Sequence, residues 1–185
     1  MGPIPSYEFA LEIGAVPIHI TSGERWWTLI TSGFLHLTQF HLLSNLVILT
    51  IFGAIFERNA GSFHAVILML CGIVGGALAH AFSYPNSDIP LYGISGGAIA
   101  LAGALIATFL LWKIPPKQKM IFILAIVCIA GLLVFYNLRL ALVGGALMPD
   151  NLIESGVAHG VGFGIGLIYG TIIYKFPNLE PLPSK

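Results

Sequence analysis

Two side chains in this 185-residue chain combine a type and a setting that suit acyl transfer. Ser95 sits in Gly93-Ile94-Ser95-Gly96 and His159 in Ala158-His159-Gly160. A serine hydroxyl is a weak nucleophile until a base takes its proton, and neutral imidazole, with an ordinary pKa of about 6.5, is the usual base. Ser95 with His159 makes a two-member nucleophile and base. Asp88, Asp150 and Glu154 fall in expected loops or at helix ends and supply no third member. His41 and Asn45 are four residues apart, so on a helix they share one face. Side-chain donors there can hold the oxygen of a tetrahedral intermediate, and one such donor is worth about 2.7–4 kcal/mol.

Each of these residues also has a plain structural use. A Gly-x-Ser-Gly string arises by chance in about one chain of this composition in seven, so the string alone decides little. A serine among glycines equally suits close helix packing. His41 and Asn45 equally suit hydrogen bonds between helices. His36 belongs at the rim of the site, in either role. His64 is expected at an interface, and His80 as a packing or rim residue.

The elements that must position these groups follow from hydropathy. The chain is 57% hydrophobic and 9% charged, which places it among integral membrane proteins. Its net charge of zero offers nothing to nucleic acid. Cys71 and Cys128 lie in apolar runs and read as buried small hydrophobes, with no metal or disulfide expected. Uncharged windows bounded by Arg58, Asp88, Lys113, Lys119, Arg139, Glu154 and Lys175 each hold the roughly 20 residues needed to cross a bilayer as a helix. Helix is required because lipid satisfies no backbone polar group. The expectation is an all-α bundle of five transmembrane helices, at about 38–56, 63–82, 93–112, 120–138 and 154–174. One membrane domain then fills 1–185: a segment 1–37 ending in the interfacial stretch Trp26–Leu37, the five-helix bundle over 38–174, and a tail 175–185.

Five crossings put the ends of the bundle on opposite sides. Arg58, Lys113, Lys117, Lys119, Lys175 and Lys185 share one face, and only Arg25 and Arg139 the other. The excess of positive charge assigns the first face, with the C-terminus, to the cytoplasm. Trp112 and Tyr174 anchor that boundary. Counting back from Phe56, Trp112 and Tyr174 at 1.5 Å per residue puts His41, Ser95 and His159 about 22–25 Å away. In a core about 30 Å thick they share one layer just under the outer edge. Among polar residues within the spans, which also include Asn137, that coincidence favours a functional set.

Other intramembrane chemistries fit less well. There is no His-Glu-x-x-His string, and Asp88 and Asp150 both fall outside the spans. Glycines recur every four residues in the last span, as Gly156, Gly160 and Gly164 and as Gly162, Gly166 and Gly170, and read as packing residues.

Taken together, these segments resemble the rhomboid family of intramembrane serine proteases, from about Gly14 to Tyr174. The likeness lies in WWTLITSGFLHLTQFHLLSNLVILTIFGAIFERNAG, with His36, His41, Asn45 and the Gly53–Glu57–Gly61 pattern; in IPLYGISGGAIALAGAL; and in SGVAHGVGFGIG, with Ala158, His159 and Gly162. The resemblance implies a Ser95–His159 dyad, an oxyanion hole of His41, Asn45 and the Ser95 N–H, and structural roles for Gly93, Gly96, His36, Glu57 and Gly162. It implies a water-filled cavity opening outward and transmembrane proteins as substrates, entering laterally past the helix 120–138. No cofactor or metal is implied, and the surrounding partner is the lipid bilayer. The alternative is a catalytically inactive relative that binds transmembrane clients. Three positions depart from the family pattern. The helix that usually precedes Gly14 is not found, Trp27 is followed by Thr28 where arginine is frequent, and Ile99 stands where many members stack an aromatic on the histidine.

Overall fold

The computed structural model of the chain describes residues 7–36, 38–111 and 149–175, together with helical positions 116, 117, 120, 121, 123 and 124. Apart from those positions, the expected span 120–138 lies outside the described residues. So do Asn137, Cys128, Trp112, Lys113, Lys119, Arg139 and the tail beyond Lys175, as do the side chains of Tyr174 and Lys175.

Besides those helical positions, the described residues hold seven α-helices, α1 (Tyr7–Ile13), α2 (Pro17–Thr21), α3 (Thr28–Thr31), α4 (Gln39–Ala60), α5 (Ser62–Ser83), α6 (Ser95–Leu111) and α7 (Pro149–Lys175), and one 3-10 turn, Ser32–Phe34. The described residues form no β-strand, only one antiparallel bridge between Ala15 and Leu91. Three stretches are long and apolar enough to cross a membrane: His41–Ala60, Ser62–Ser83 and Gly156–Ile173. The helix α6, at 17 residues, is shorter. The protein is a helical integral membrane protein.

Local sequence sets the helix ends. Thr38 is extended (ψ 148°) and its hydroxyl accepts from the His41 N–H at 3.0 Å, capping α4. Gly61 closes α4 through its N–H to the Glu57 carbonyl at 2.7 Å and opens α5. Its φ of +88° is a conformation side chains rarely adopt, so one glycine reverses the chain between two 22-residue helices. The Ser62 hydroxyl, in turn, donates to the Glu57 carboxylate. That contact gives Glu57, expected in a structural role, a definite partner at this corner.

The helix α6 is the centre of the bundle and packs against α4, α5 and α7. Eleven of its residues are buried, among them Gly96, Gly97, Ala100, Ala104 and Leu105. Small residues permit this because backbone meets backbone: a Cβ on Gly72 of α5 would stand 2.6 Å from the Gly96 carbonyl oxygen. Toward the far end from Ser95, Phe52, Phe56, Leu68, Leu101, Leu105 and Ile173 fill the space between all four long helices. His64, expected at an interface, ties α5 to α7 there, with Nδ1 2.9 Å from the Tyr169 hydroxyl. His80 is buried beside the Tyr84 ring, at 5.4 Å.

Two expectations need correction. Cys71 is exposed on α5 rather than buried. A helix that is apolar all round carries no sign of which side meets lipid, and a thiol is apolar enough for either. The two glycine series of α7 also differ. Gly166 and Gly170 pack on the Ala100 and Ala104 backbone, and Gly162 on Gly96. A Cβ on Gly156, Gly160 or Gly164 would meet nothing within 4 Å among the described residues of neighbouring elements.

The segment before α4 is stitched across the top of the bundle. Ala15 and Leu91 exchange N–H···O bonds of 2.9 and 3.0 Å, the Ile18 N–H reaches the Ser87 carbonyl at 3.2 Å, and the Thr31 hydroxyl reaches the Ile13 carbonyl at 3.0 Å. From Trp26 to Phe34 the usual polarity is inverted. Thr28 and Ser32 are buried, while Trp26, Trp27, Ile30 and Phe34 are exposed, Phe34 by 64%. Aromatic side chains outward and hydroxyls inward fit a segment lying at a lipid boundary. At the Trp27-Thr28 departure, the Thr28 hydroxyl donates to the Arg25 carbonyl at 2.7 Å, and the Arg25 guanidinium to the Leu11 carbonyl at 3.1 Å.

Candidate active site

The segment 84–94 leaves α5 and delivers Ser95 to the first position of α6. Two ties hold it: the bridge to Ala15, and the Gly93 N–H donating to the Ser32 carbonyl at 2.9 Å. Gly93 has a φ of +107°, outside the range of ordinary side chains, and this turns the chain sharply into the helix. Ser95 therefore sits where the first N–H groups of a helix lack intrahelical partners and the dipole is positive.

His159 arrives from α7. Its Nε2 lies 2.8 Å from the Ser95 hydroxyl, a hydrogen bond between residues 64 apart in sequence. With the hydroxyl as donor, the imidazole proton sits on Nδ1 and Nε2 is free to accept. Backbone contact one turn further along α7 sets the distance. A Cβ on Gly162 would stand 2.5 Å from the Gly96 carbonyl oxygen, the residue after Ser95. On the other side of α7, a Cβ on Gly76 of α5 would stand 3.0 Å from the Ala158 carbonyl oxygen. The histidine is thus delivered between two close backbone approaches, at Gly162, where a side chain does not fit, and at Gly76, where it would be tight.

That packing makes a prediction. Gly162→Val wedges α7 away from Ser95, and displacements of about 1 Å at a reacting pair cost roughly 100-fold. The rate of covalent labelling of Ser95 by a fluorophosphonate is expected to fall by that order. Ile168→Val, on the exposed side of the same helix, leaves it unchanged.

His41 and Asn45 converge on the same spot from α4. A Cβ on Gly93 would stand 2.9 Å from His41 Nε2 and 3.4 Å from Asn45 Nδ2. Two side-chain nitrogens therefore overhang the residue two before Ser95, in space kept open because residue 93 is glycine. Asn45 is buried. His36 backs it, with Nε2 3.0 Å from Asn45 Nδ2, and its ring stands edge-on to His41 at 4.9 Å. His36 lies outside the spans, and burial holds its pKa below the ordinary histidine value, against a hydrogen bond to the Phe34 backbone. Tyr92, which the sequence did not single out, sets its ring 5.8 Å from His41. Its aromatic type beside Gly93 was the available signal. His64 and His80 lie apart from this cluster, at the Tyr169 and Tyr84 contacts. No group of three or more His, Cys, Asp or Glu among the described residues is placed to hold a metal ion.

A polytopic helical membrane protein that pairs a serine at a helix start with a histidine from a neighbouring helix, beside two converging side-chain nitrogens, is the class that this fold and site define. The rhomboid domain model matches residues 23–176, and the chain belongs to the rhomboid family. It is 29% identical to RHOMBOID-like protein 4 of Arabidopsis thaliana over 160 residues, covering 86% of this chain and 37% of that one. It is 30% identical to RHOMBOID-like protein 6, mitochondrial, of the same plant over 135 residues, covering 69% of this chain and 43% of the relative. The matched regions thus span about two fifths of the length of these curated relatives (37% and 43%). No solved structure matches the chain.

Proposed function

We propose that this protein is an intramembrane serine endopeptidase that cuts the transmembrane segments of other membrane proteins with a Ser95–His159 dyad. The observation that carries the reading is the 2.8 Å approach of the Ser95 hydroxyl to His159 Nε2. Ser95 Oγ attacks the scissile carbonyl carbon, and its proton passes to His159 Nε2 as the C–O bond forms. The resulting oxyanion is held by His41, Asn45 and the Ser95 N–H. The tetrahedral intermediate collapses, the C–N bond breaks, and the leaving amine takes the proton from His159. Water then gives a proton to His159 and attacks the acyl-enzyme, which releases the new carboxyl end and returns the proton to Ser95.

In this reading the C-terminus faces the cytoplasm and the pocket opens near the external face, where water can reach it. Substrates enter sideways past the segment 120–138. No metal and no cofactor take part.

A serine-directed fluorophosphonate tests this on the detergent-solubilised protein. One covalent adduct is expected, and it disappears in Ser95→Ala. An intact fold with no adduct at Ser95 would overturn the protease reading and leave the binding of transmembrane clients as the function.

A further inference from the structure

We propose that His36 is a positioning residue that fixes the Asn45 amide, so that its nitrogen rather than its oxygen faces the space over Gly93. The inference rests on the proposed reading of that space as an oxyanion site.

Hydrogen-bond chemistry leaves His36 one arrangement. The Asn45 nitrogen, 3.0 Å from His36 Nε2, carries only N–H donors, so Nε2 is the acceptor. The proton of the neutral imidazole is then on Nδ1. An amide nitrogen has two N–H groups. His36 takes one, and the other is left for a ligand oxygen above Gly93, where the nitrogen already stands 3.4 Å from a Cβ position. Without an acceptor at residue 36 the amide is free to rotate by half a turn. That rotation places a carbonyl oxygen where negative charge develops, which repels the transition state instead of holding it.

The backbone around His36 is placed for this task. The turn Ser32–Phe34 accepts the Gly93 N–H through the Ser32 carbonyl and ends two residues before His36. It is clamped to α5, since a Cβ on Gly33 would stand 2.8 Å from Ile73 Cγ2. One turn therefore sets both the segment leading to the nucleophile and the acceptor behind the amide. The register between the two is fixed by five residues of chain, from Ser32 to His36.

The test is a double-mutant cycle on the full-length protein reconstituted in liposomes, with cleavage of a transmembrane substrate as the readout. His36→Ala is expected to lower kcat about tenfold with KM unchanged, a part of what loss of a whole donor costs. His36→Gln, whose side-chain carbonyl can accept from Asn45, restores most of that loss. In an Asn45→Ala background, His36→Ala costs nothing more, because the group it positions is gone. Full additivity in that background, or failure of the Gln variant at unchanged thermal stability, overturns the proposal. A second readout needs no catalysis. With 15N-labelled asparagine, the Asn45 side-chain amide protons should exchange slowly in wild type and in His36→Gln, and fast in His36→Ala. Equal exchange in all three overturns the positioning role. Slow exchange lost in His36→Ala sustains the positioning contact even if Ser95 takes up no probe, which would sink the protease reading alone.

Discussion

Replacing His159 by alanine is expected to lower substrate turnover on the order of 10,000-fold while the protein stays folded and still binds its substrate. Among the described residues, the neighbour placed to take the proton of the Ser95 hydroxyl is His159, at 2.8 Å. With that neighbour gone the alcohol must ionise into water, where it is a poor acid. Ser95→Ala should cost as much, and the double variant Ser95→Ala with His159→Ala no more than either alone. Residues that act as one unit lose their whole effect at the first cut. Single-turnover cleavage in proteoliposomes measures all three variants. Additive losses would mean that the two side chains act separately, and the dyad would have to be abandoned.

The second large effect belongs to α4. Asn45→Ala should reduce kcat by about 100- to 1,000-fold, equivalent to roughly 2.7–4 kcal/mol of transition-state stabilisation, with little change in KM. His41→Ala should act in the same direction. Both nitrogens reach the same space over Gly93, at 2.9 and 3.4 Å from a Cβ position there, so each can cover in part for the other. The pair together should then cost more than either alone. Steady-state kinetics on one transmembrane substrate separates the cases. A rise in KM with kcat intact would show that these groups bind the ground state instead.

Much of the bundle was legible because charge is scarce in it. Arg58 and Asp88 bracket the run that becomes α5, and the expected 63–82 lies within Ser62–Ser83. The first span came out one turn short, since the helix runs on through Arg58 to Ala60 and stops only at Gly61. The helix α7 begins five residues before the expected 154, at Pro149, a residue suited to a first helical turn. Ser95, His41 and His159 could be placed in one layer by counting, because depth in a membrane helix is proportional to residue number.

Rotation about the helix axis was not legible. In soluble helices polar residues mark the outer face, but lipid removes that mark. Gly160 and Gly162 are the same letter two positions apart, yet only Gly162 meets the Gly96 backbone. Cys71 and the His64–Tyr169 contact escaped for the same reason. The bridge between Ala15 and Leu91 was hidden for another: two backbone groups make it, and no side chain announces it.

The inverted polarity of Trp26–Phe34 bears on how the protein matures. In water that stretch would turn Trp26 and Phe34 inward and free Thr28 and Ser32, releasing the Ser32 carbonyl from Gly93. Its present shape suits a lipid boundary. This corner, with the tie that holds Gly93, is therefore expected to take its final form only once the chain lies in lipid.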